Sequence, residues 1–339
     1  MKQLIKMCVL IVVVSIVVVS LAGCSGSSSD KNVPTPENPL VLKLGHMGSA
    51  TNPLNTYSLA FKSRVEERTK GAIKIEIYGD KVLGADRELL EAVQAGNLDM
   101  AVTTTSPLTN FVPEYLVLDL PYVFAGWEHA FKFMKSSTYT NLLKEGDKVG
   151  ITILSLAARG FRHVTTNNKE IHTPADIKGL KLRVIESSVF VDTFKAFGAN
   201  PQAMSWGEVF TALQQGTIDG EENSYLVIWE EQVYKVQNTI SETGHMFAFF
   251  DMVIGTKVLE GLPKGMQEII RTAALEAGNE ESKAEQAGED KIKDQLRALD
   301  ITIVEDVDVA AFKQLIQPVY DKFTSSYDSK YLDEIQKLN

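Results

Sequence analysis

Two stretches that lie 120 residues apart, AVQAGNLDMAVTT (92–104) and ALQQGTIDGEENS (212–224), constrain this chain more than any other feature. Ala92, Gln94, Gly96 and Asp99 recur as Ala212, Gln214, Gly216 and Asp219. In each stretch a helical pattern stops at a glycine, the residue that takes the left-handed C-terminal conformation without steric cost. A strand-like segment follows. Common helix-stop chemistry accounts for such a match by itself. The other reading is a pair of similarly built lobes facing each other across a cleft, with Thr104 and Asn223, just after the paired strands, pointing into the gap from opposite sides.

The rest of the chain alternates strands and helices, which predicts an α/β fold. IKIEIY (73–78) alternates with a period of two, and DRELLEAVQAG places Leu89, Leu90 and Val93 on one helical face. KGLKLRV alternates again. SSVFVDTFKAFGANP then carries Phe190, Phe194 and Phe197 on one stripe and stops at Gly198 and Pro201. SWGEVFTALQQG opens with Ser205 and Glu208 at capping-box spacing. After ITILSLA, a further apolar strand, comes RGFRHVTTNN. The C-terminal third is mostly helical: a long charge-rich helix from 263 to 300, a late strand ITIVEDVD, and a helix interrupted near Pro318. The charge-rich helix is expected to be a solvated face packed on a core, with no chemistry of its own.

At the N-terminus Lys2 and Lys6 precede an apolar run that ends at LAGC, followed by SGSSSDKN. A charged segment, a short apolar core and a small-residue cleavage pattern describe a secretory signal. LAGC also resembles the lipobox of bacterial lipoproteins, with Cys24 as the lipidated first residue of the mature chain. Residues 24–39, with three prolines and no large apolar side chain apart from Val33, read as a tether, and the fold is expected to begin at LVLKLGHM. The two cysteines are Cys8, inside the signal, and Cys24, so no disulfide or thiol chemistry is expected in the folded part. Removing residues 1–23 takes away two lysines and no acid, moving the formal charge from −10 to −12. That balance excludes a nucleic-acid binder, and any anion site must rest on local positive charge.

Catalytic signatures are missing: no G-x-S-x-G elbow, Walker loop, G-x-G-x-x-G turn or H-E-x-x-H pair occurs. The five histidines show no ligand-pair spacing, so no metal, cofactor or catalytic residue is expected, and the three acids of DGEEN read as turn and lobe-edge residues. What remains suits a small organic anion. Alternation in LKLRV puts Leu180, Leu182 and Val184 on the core face and Lys181 and Arg183 on the other. Arg183 stands at the carboxyl end of its strand, where ligands of open α/β sheets bind. A guanidinium fits a carboxylate through two parallel hydrogen bonds and stays charged when desolvated. A surface arginine paired with Glu186 fits the pattern equally well. Arg162 is less constrained, and Trp206, first in its helix, reads as a stacking platform or a staple.

The run from GFRHVTTNN through TPADIKGLKLRV to ALQQGTIDGEENS, with YKVQNTISETGH after it, resembles the solute-binding proteins of tripartite ATP-independent periplasmic (TRAP) transporters, the DctP type. The resemblance implies a two-lobed periplasmic-binding-protein-like α/β fold, with a central cleft, hinge strands and a long helix. Lobe I would comprise 40–159 plus 250–285, and lobe II 160–249 plus 286–339. By position it makes Arg183 the grip on a substrate carboxylate, Arg162 a second contact, Asn223 a hydrogen-bonding neighbour, Trp206 a wall over the ligand and Thr104 a polar residue from lobe I. Glu222 and His46 complete the candidate set. DGEEN stands where DGQEN is common, with Glu221 for glutamine, and Ser224 stands where proline is frequent. The implied function is an extracytoplasmic, lipid-anchored receptor that binds a sugar acid (uronate or aldonate) or a C4-dicarboxylate and delivers it to membrane permease subunits. Presentation of the ligand to a membrane sensor is the alternative, and an enzyme acting on an organic acid is a more distant one.

Overall fold

The two long strands that cross the middle of the molecule set its architecture. The computed structural model describes residues 33–339; the signal segment and Cys24 lie outside the described residues. In chain order the elements that matter are β1 (Leu40–Gly45), α1 (Pro53–Arg68), β2 (Ile73–Tyr78), α2 (Asp86–Ala95), β3 (Met100–Thr104), α3 (Trp127–Met134), α4 (Ser137–Leu142) and β4 (Ile151–Thr166). There follow β5 (Lys181–Val184), α5 (Ser188–Ala196), β6 (Asn200–Ala203), α6 (Trp206–Gln214), β7 (Gly220–Asn223), α7 (Tyr225–Glu230), β8 (Thr239–Gly255) and α8 (Lys264–Arg297). The chain ends with β9 (Thr302–Val304), α9 (Val309–Lys313), α10 (Gln317–Ser326) and α11 (Lys330–Gln336).

The main path of the sheet runs β2-β1-β3-β8-β4-β7-β5-β6, with β9 paired to the start of β8. This order maps onto itself when β1, β2, β3 and β8 are exchanged for β5, β6, β7 and β4, so the two halves are built alike. The repeated residues do the same work in each. Asp99 accepts the Lys43 backbone N–H at 2.8 Å and Asp219 accepts that of Lys181 at 2.8 Å, each tying the turn before one strand to the parallel strand beside it. Gly96 and Gly216 take φ values of 76° and 66°, the left-handed region that favours glycine.

β4 and β8 pair antiparallel over nearly their whole length, with register shifts around Ser155, Gly160 and Val164. The expected lobe boundaries fall inside these strands, where Ala158 pairs Phe249 and Gly160 pairs Ala248. Arg162 therefore lies within a 16-residue strand, not after it as the sequence suggested. The apolar run and the polar stretch after it belong to one element because β8 supplies partners throughout.

One core cluster, including Leu42, Phe61, Val102 and Ile270, lies on one face of lobe I. Another, with Val209, Leu213, Ile228 and Ile240, belongs to lobe II. A third carries the phenylalanine stripe of α5 and continues across both halves. Helix α8 joins the first two: Ala273, Ala274 and Ala277 pack on lobe I, while Ile292 and Leu296 pack on lobe II. Its solvated face is as expected, but its inner face is polar as well as apolar, with Glu281, Ser282 and Glu285 buried. Gly278 lets it rest on β4, since a Cβ there would stand 2.5 Å from the Leu156 carbonyl oxygen.

The C-terminal segment does not stay with lobe II. α10 packs on α5, whereas α11 reaches α4, with Thr138 donating to Glu334 at 2.8 Å, Tyr331 donating to Glu145 at 2.6 Å and the His129 ring 2.8 Å from the Ile335 carbonyl. Leu332 and Ile335 are buried at that contact, which gives the last helix its place on lobe I. Among the described residues no helix is long and apolar enough to cross a membrane.

Candidate functional site

A cleft of about 630 Å³ opens where the strand ends of the two halves meet. Five of the sequence-predicted residues line it together: Thr104 from β3, Arg162 from β4, Arg183 from β5, Trp206 from α6 and Asn223 from β7. Thr104 and Asn223 are the last residues of their strands, and both line the cleft.

Arg183 is buried, at 4% exposure, and makes no ion pair among the described residues. Its Nε donates to the Met204 carbonyl at 2.9 Å, and its guanidinium carbon lies 5.3 Å from the Trp206 ring centre. The indole thus stacks on the cation and leaves the rest of the planar fork to the cleft. Ser205 caps α6 without a side-chain hydrogen bond, so the capping box read from Ser205 and Glu208 is not formed. Burial brings the Arg183 pKa down to about 10, which still leaves it charged at neutral pH.

Arg162 is held differently. Its Nε donates to Glu222 Oε2 at 2.5 Å and its Nη2 to Oε1 at 3.0 Å and to the Glu222 carbonyl at 2.5 Å. His245 Nε2 lies 3.1 Å from the same carboxylate. Burial pushes the Glu222 carboxyl up, but Arg162 and His245 outweigh it and hold the pKa at about 2. Glu222 is therefore the counter-ion behind the cleft and does not line it. Arg162 keeps one unpartnered buried atom, Nη1. His46 also stays out of the cleft: it is buried against Gly79, with Nε2 3.3 Å from Asn55 Oδ1.

Two site residues went unread in the sequence. Arg159 lines the cleft, donates from Nη2 to Asn223 Oδ1 at 2.5 Å and stacks over Phe250 at 4.8 Å. Burial, then the neighbouring Arg162, lowers its pKa to about 9. Its signal was a lone charge at the end of an apolar run, beside Gly160. That glycine takes φ 89° at a register shift and lies against Trp127. Asp86, first in α2, lines the cleft from lobe I. Its Oδ2 accepts the Thr104 N–H at 3.1 Å, Oδ1 is buried without a partner, and burial raises its pKa to about 6. Extending the repeat upstream by the same 120 residues pairs Asp86 with Trp206 and would have found it.

The substituted floor residues have defined roles. Glu221 accepts Asn223 Nδ2 at 3.1 Å and Thr165 Oγ1 at 3.0 Å. With Nδ2 donated to Glu221, the amide turns its Oδ1 to Arg159. Burial, then Glu222, raises the Glu221 pKa to about 7. Hydrogen bonds that cross between the lobes include Asn52 Nδ2 to Glu231 Oε1 at 2.5 Å, Asn110 Nδ2 to the Glu186 carbonyl at 3.0 Å and, buried, Ser187 Oγ to Asp119 Oδ2 at 2.7 Å.

Two like lobes hinged on shared strands, with cations from one side and polar groups from the other converging on a cleft, define a ligand-capturing receptor of the periplasmic-binding type. Residues 44–326 match the family described as bacterial extracellular solute-binding protein, family 7 (DctP), and the chain belongs to that family, the solute-binding proteins of TRAP transporters. It is 30% identical to the 2,3-diketo-L-gulonate-binding periplasmic protein YiaO of Escherichia coli, covering 87% of this chain and 92% of that one. It is 28% identical to the C4-dicarboxylate-binding protein DctB of Bacillus subtilis, over 89% and 87% of the two chains. The crystal structure of a TRAP periplasmic solute-binding protein from Polaromonas sp. JS666 bound to D-erythronate is 33% identical, with a TM-score of 0.85, over 88% of this chain and 98% of that one. The family comprises transport receptors that bind small organic acids and work with membrane permease subunits.

Proposed function

We propose that this receptor captures a polyhydroxylated monocarboxylate, a sugar acid of the uronate or aldonate kind, in preference to a C4-dicarboxylate. The observation that carries the reading is the opposition inside one cleft of Arg183, charged and without a carboxylate, and Asp86, whose buried Oδ1 lacks a partner. Arg183 forks onto the ligand carboxylate, Arg162 Nη1 gives it a further donor, and Trp206 walls it in. Arg159 and Asn223 serve the middle of the ligand. From lobe I Asp86 accepts hydrogen bonds from hydroxyl groups, for which a carboxylate oxygen is a strong acceptor. A second ligand carboxylate there would meet like charge. Ligand contacts to both lobes favour the closed arrangement, which is the only source of a ligand-driven shift. The relatives that bind D-erythronate and 2,3-diketo-L-gulonate support the class.

The lipobox places the mature chain on the membrane through Cys24, beside its permease, and Cys24→Ala releases it to the soluble fraction on cell fractionation. The functional reading is tested by thermal shift with D-galactonate, L-gulonate and D-glucuronate against succinate and L-malate. At a thousandfold excess over Kd a ligand stabilises the fold by about 4 kcal/mol. Larger shifts from the sugar acids are expected. Tighter binding of succinate or malate, or no shift from any acid, overturns the reading.

A further inference from the structure

Arg159 faces two spaces, the ligand cleft on one side and a smaller cavity on the other. The smaller cavity lies where the hinge strand β4, the start of α7 and the spine helix α8 meet, and Ser224 and Glu285 share its lining with Arg159. These three residues are 5%, 3% and 3% exposed. Each has one buried polar atom without a partner: Arg159 Nε, Ser224 Oγ and Glu285 Oε1. The other polar groups of the lining are taken. Tyr225 donates its hydroxyl to Glu242 at 2.7 Å, and Glu289 accepts Trp127 Nε1 at 3.2 Å and lies 3.7 Å from Lys293.

An orphaned buried polar atom is costly, so three around one cavity need a common solution. Their chemistry is complementary: a guanidinium N–H that only donates, a carboxyl oxygen that accepts and a hydroxyl that does either. A water molecule needs two to four polar partners, which these three atoms supply, and the space open to a water here is about 10 Å³, room for one molecule.

We propose that this cavity is an ordered-water site bridging Arg159 Nε, Ser224 Oγ and Glu285 Oε1, and that Glu285 is thereby a positioning residue for Arg159. The bridge fixes the guanidinium from behind while Asn223 holds its Nη2 in front, so α8 sets the direction in which Arg159 faces the cleft. The consequence for ligand binding rests on the sugar-acid reading. The water site and the Arg159 orientation do not.

The test uses the mature chain without ligand, comparing the native protein with Glu285→Gln, Glu285→Leu and Ser224→Ala. Crystal structures of the native and Gln forms are expected to show a water about 3 Å from all three positions, with the Arg159–Asn223 hydrogen bond intact. In the Leu form the water is lost and the guanidinium leaves Asn223. In solution the Arg159 Nε–Hε NMR signal is expected to show a cross-peak to bound water in the native and Gln forms, to weaken in Ser224→Ala and to vanish in Glu285→Leu. Glu285 as a merely structural residue would shift Tm without moving that signal. A dry cavity, a direct Arg159–Glu285 ion pair or an unmoved Arg159 in the Leu form overturns the proposal. Should Glu285→Leu fail to fold, Ser224→Ala carries the same decision through the cross-peak. No arm requires a ligand, so failure here is distinct from failure of the sugar-acid reading.

Discussion

The two halves of the sheet present the same scaffold to the cleft and opposite chemistry. In lobe I the first residue of α2 is Asp86 and the last of β3 is Thr104; in lobe II the first residue of α6 is Trp206 and the last of β7 is Asn223. The turns that fix these positions are interchangeable, down to the Asp99 and Asp219 hydrogen bonds. The side chains are not. Lobe II has an aromatic stacked on an arginine, while lobe I has an acid with a free oxygen. Duplicated geometry thus delivers groups to two sides of a ligand, and the residue at each position decides which end of the ligand goes where.

The largest effect should come from removing the cation that has no protein counter-charge. Arg183→Ala deletes the fork and leaves the ligand carboxylate desolvated without a partner, a loss of about 2–5 kcal/mol, or roughly thirtyfold to several thousandfold in Kd. Arg183→Lys should recover only part, because an ammonium cannot make the bidentate pair. Calorimetry with D-galactonate would read both; an unchanged affinity in the alanine variant would falsify the assignment of the carboxylate end to lobe II.

Asp86 tests the other side. Asp86→Asn should weaken binding of sugar acids by about tenfold, the worth of a hydrogen bond to a charged acceptor, and improve succinate by removing like charge. Its pH behaviour separates binding from folding. Burial raises the Asp86 pKa from 3.8 to about 6, so the ionised form is disfavoured in the folded chain. From this group the free protein should gain stability as pH falls through 6 towards 3.8. Hydroxyl donors prefer the ionised acceptor, so affinity should rise as pH climbs through about 6. Glu222, held at about 2, opposes the stability trend only as pH falls below its ordinary 4.5. Titrating Tm with and without D-galactonate checks the opposite slopes; Asp86→Asn should remove the rise in affinity near pH 6 and only lessen the stability slope, to which the buried Asp119, Glu221, Asp251 and Glu281 carboxyls, all raised by burial, also contribute.

What could be read from the chain follows the same division. The strand and helix grammar was legible because hydrophobic period and glycine stops are local; β2 runs from Ile73 to Tyr78 as its alternation implied. Arg183, Trp206, Thr104 and Asn223 were legible because strand ends and helix starts are marked in sequence. Arg159 was not, since its direction depends on the irregular pairing of β4 with β8, a partner about ninety residues away. Glu222 and Arg162 sit on adjacent strands, so their mutual neutralisation is a fact of pairing, which a one-dimensional pattern does not carry. The buried acids of α8 were hidden for the same reason: a glutamate on a charge-rich helix reads as solvated until its face is known.

The smallest expected effect concerns the mouth, where the lobes touch each other directly. Asn52 caps α1 by accepting the Leu54 N–H at 3.0 Å with Oδ1 and reaches Glu231 with Nδ2. Asn52→Asp keeps the capping oxygen but turns the donor into an acceptor facing a carboxylate. The closed arrangement should lose stability relative to the open one, while the helix cap survives. Other cross-lobe hydrogen bonds remain, including those from Asn110 and Ser187, so the loss should be about threefold in affinity, at the low end of the net worth of one hydrogen bond. It should appear mainly as faster ligand release and diminish at high salt, where exposed charges are screened. Adding Glu231→Gln removes the repulsion and should restore the release rate. A single variant with native kinetics, or a double variant that stays fast, would show that this pair does not distinguish closed from open and that closure is driven from the strand ends alone.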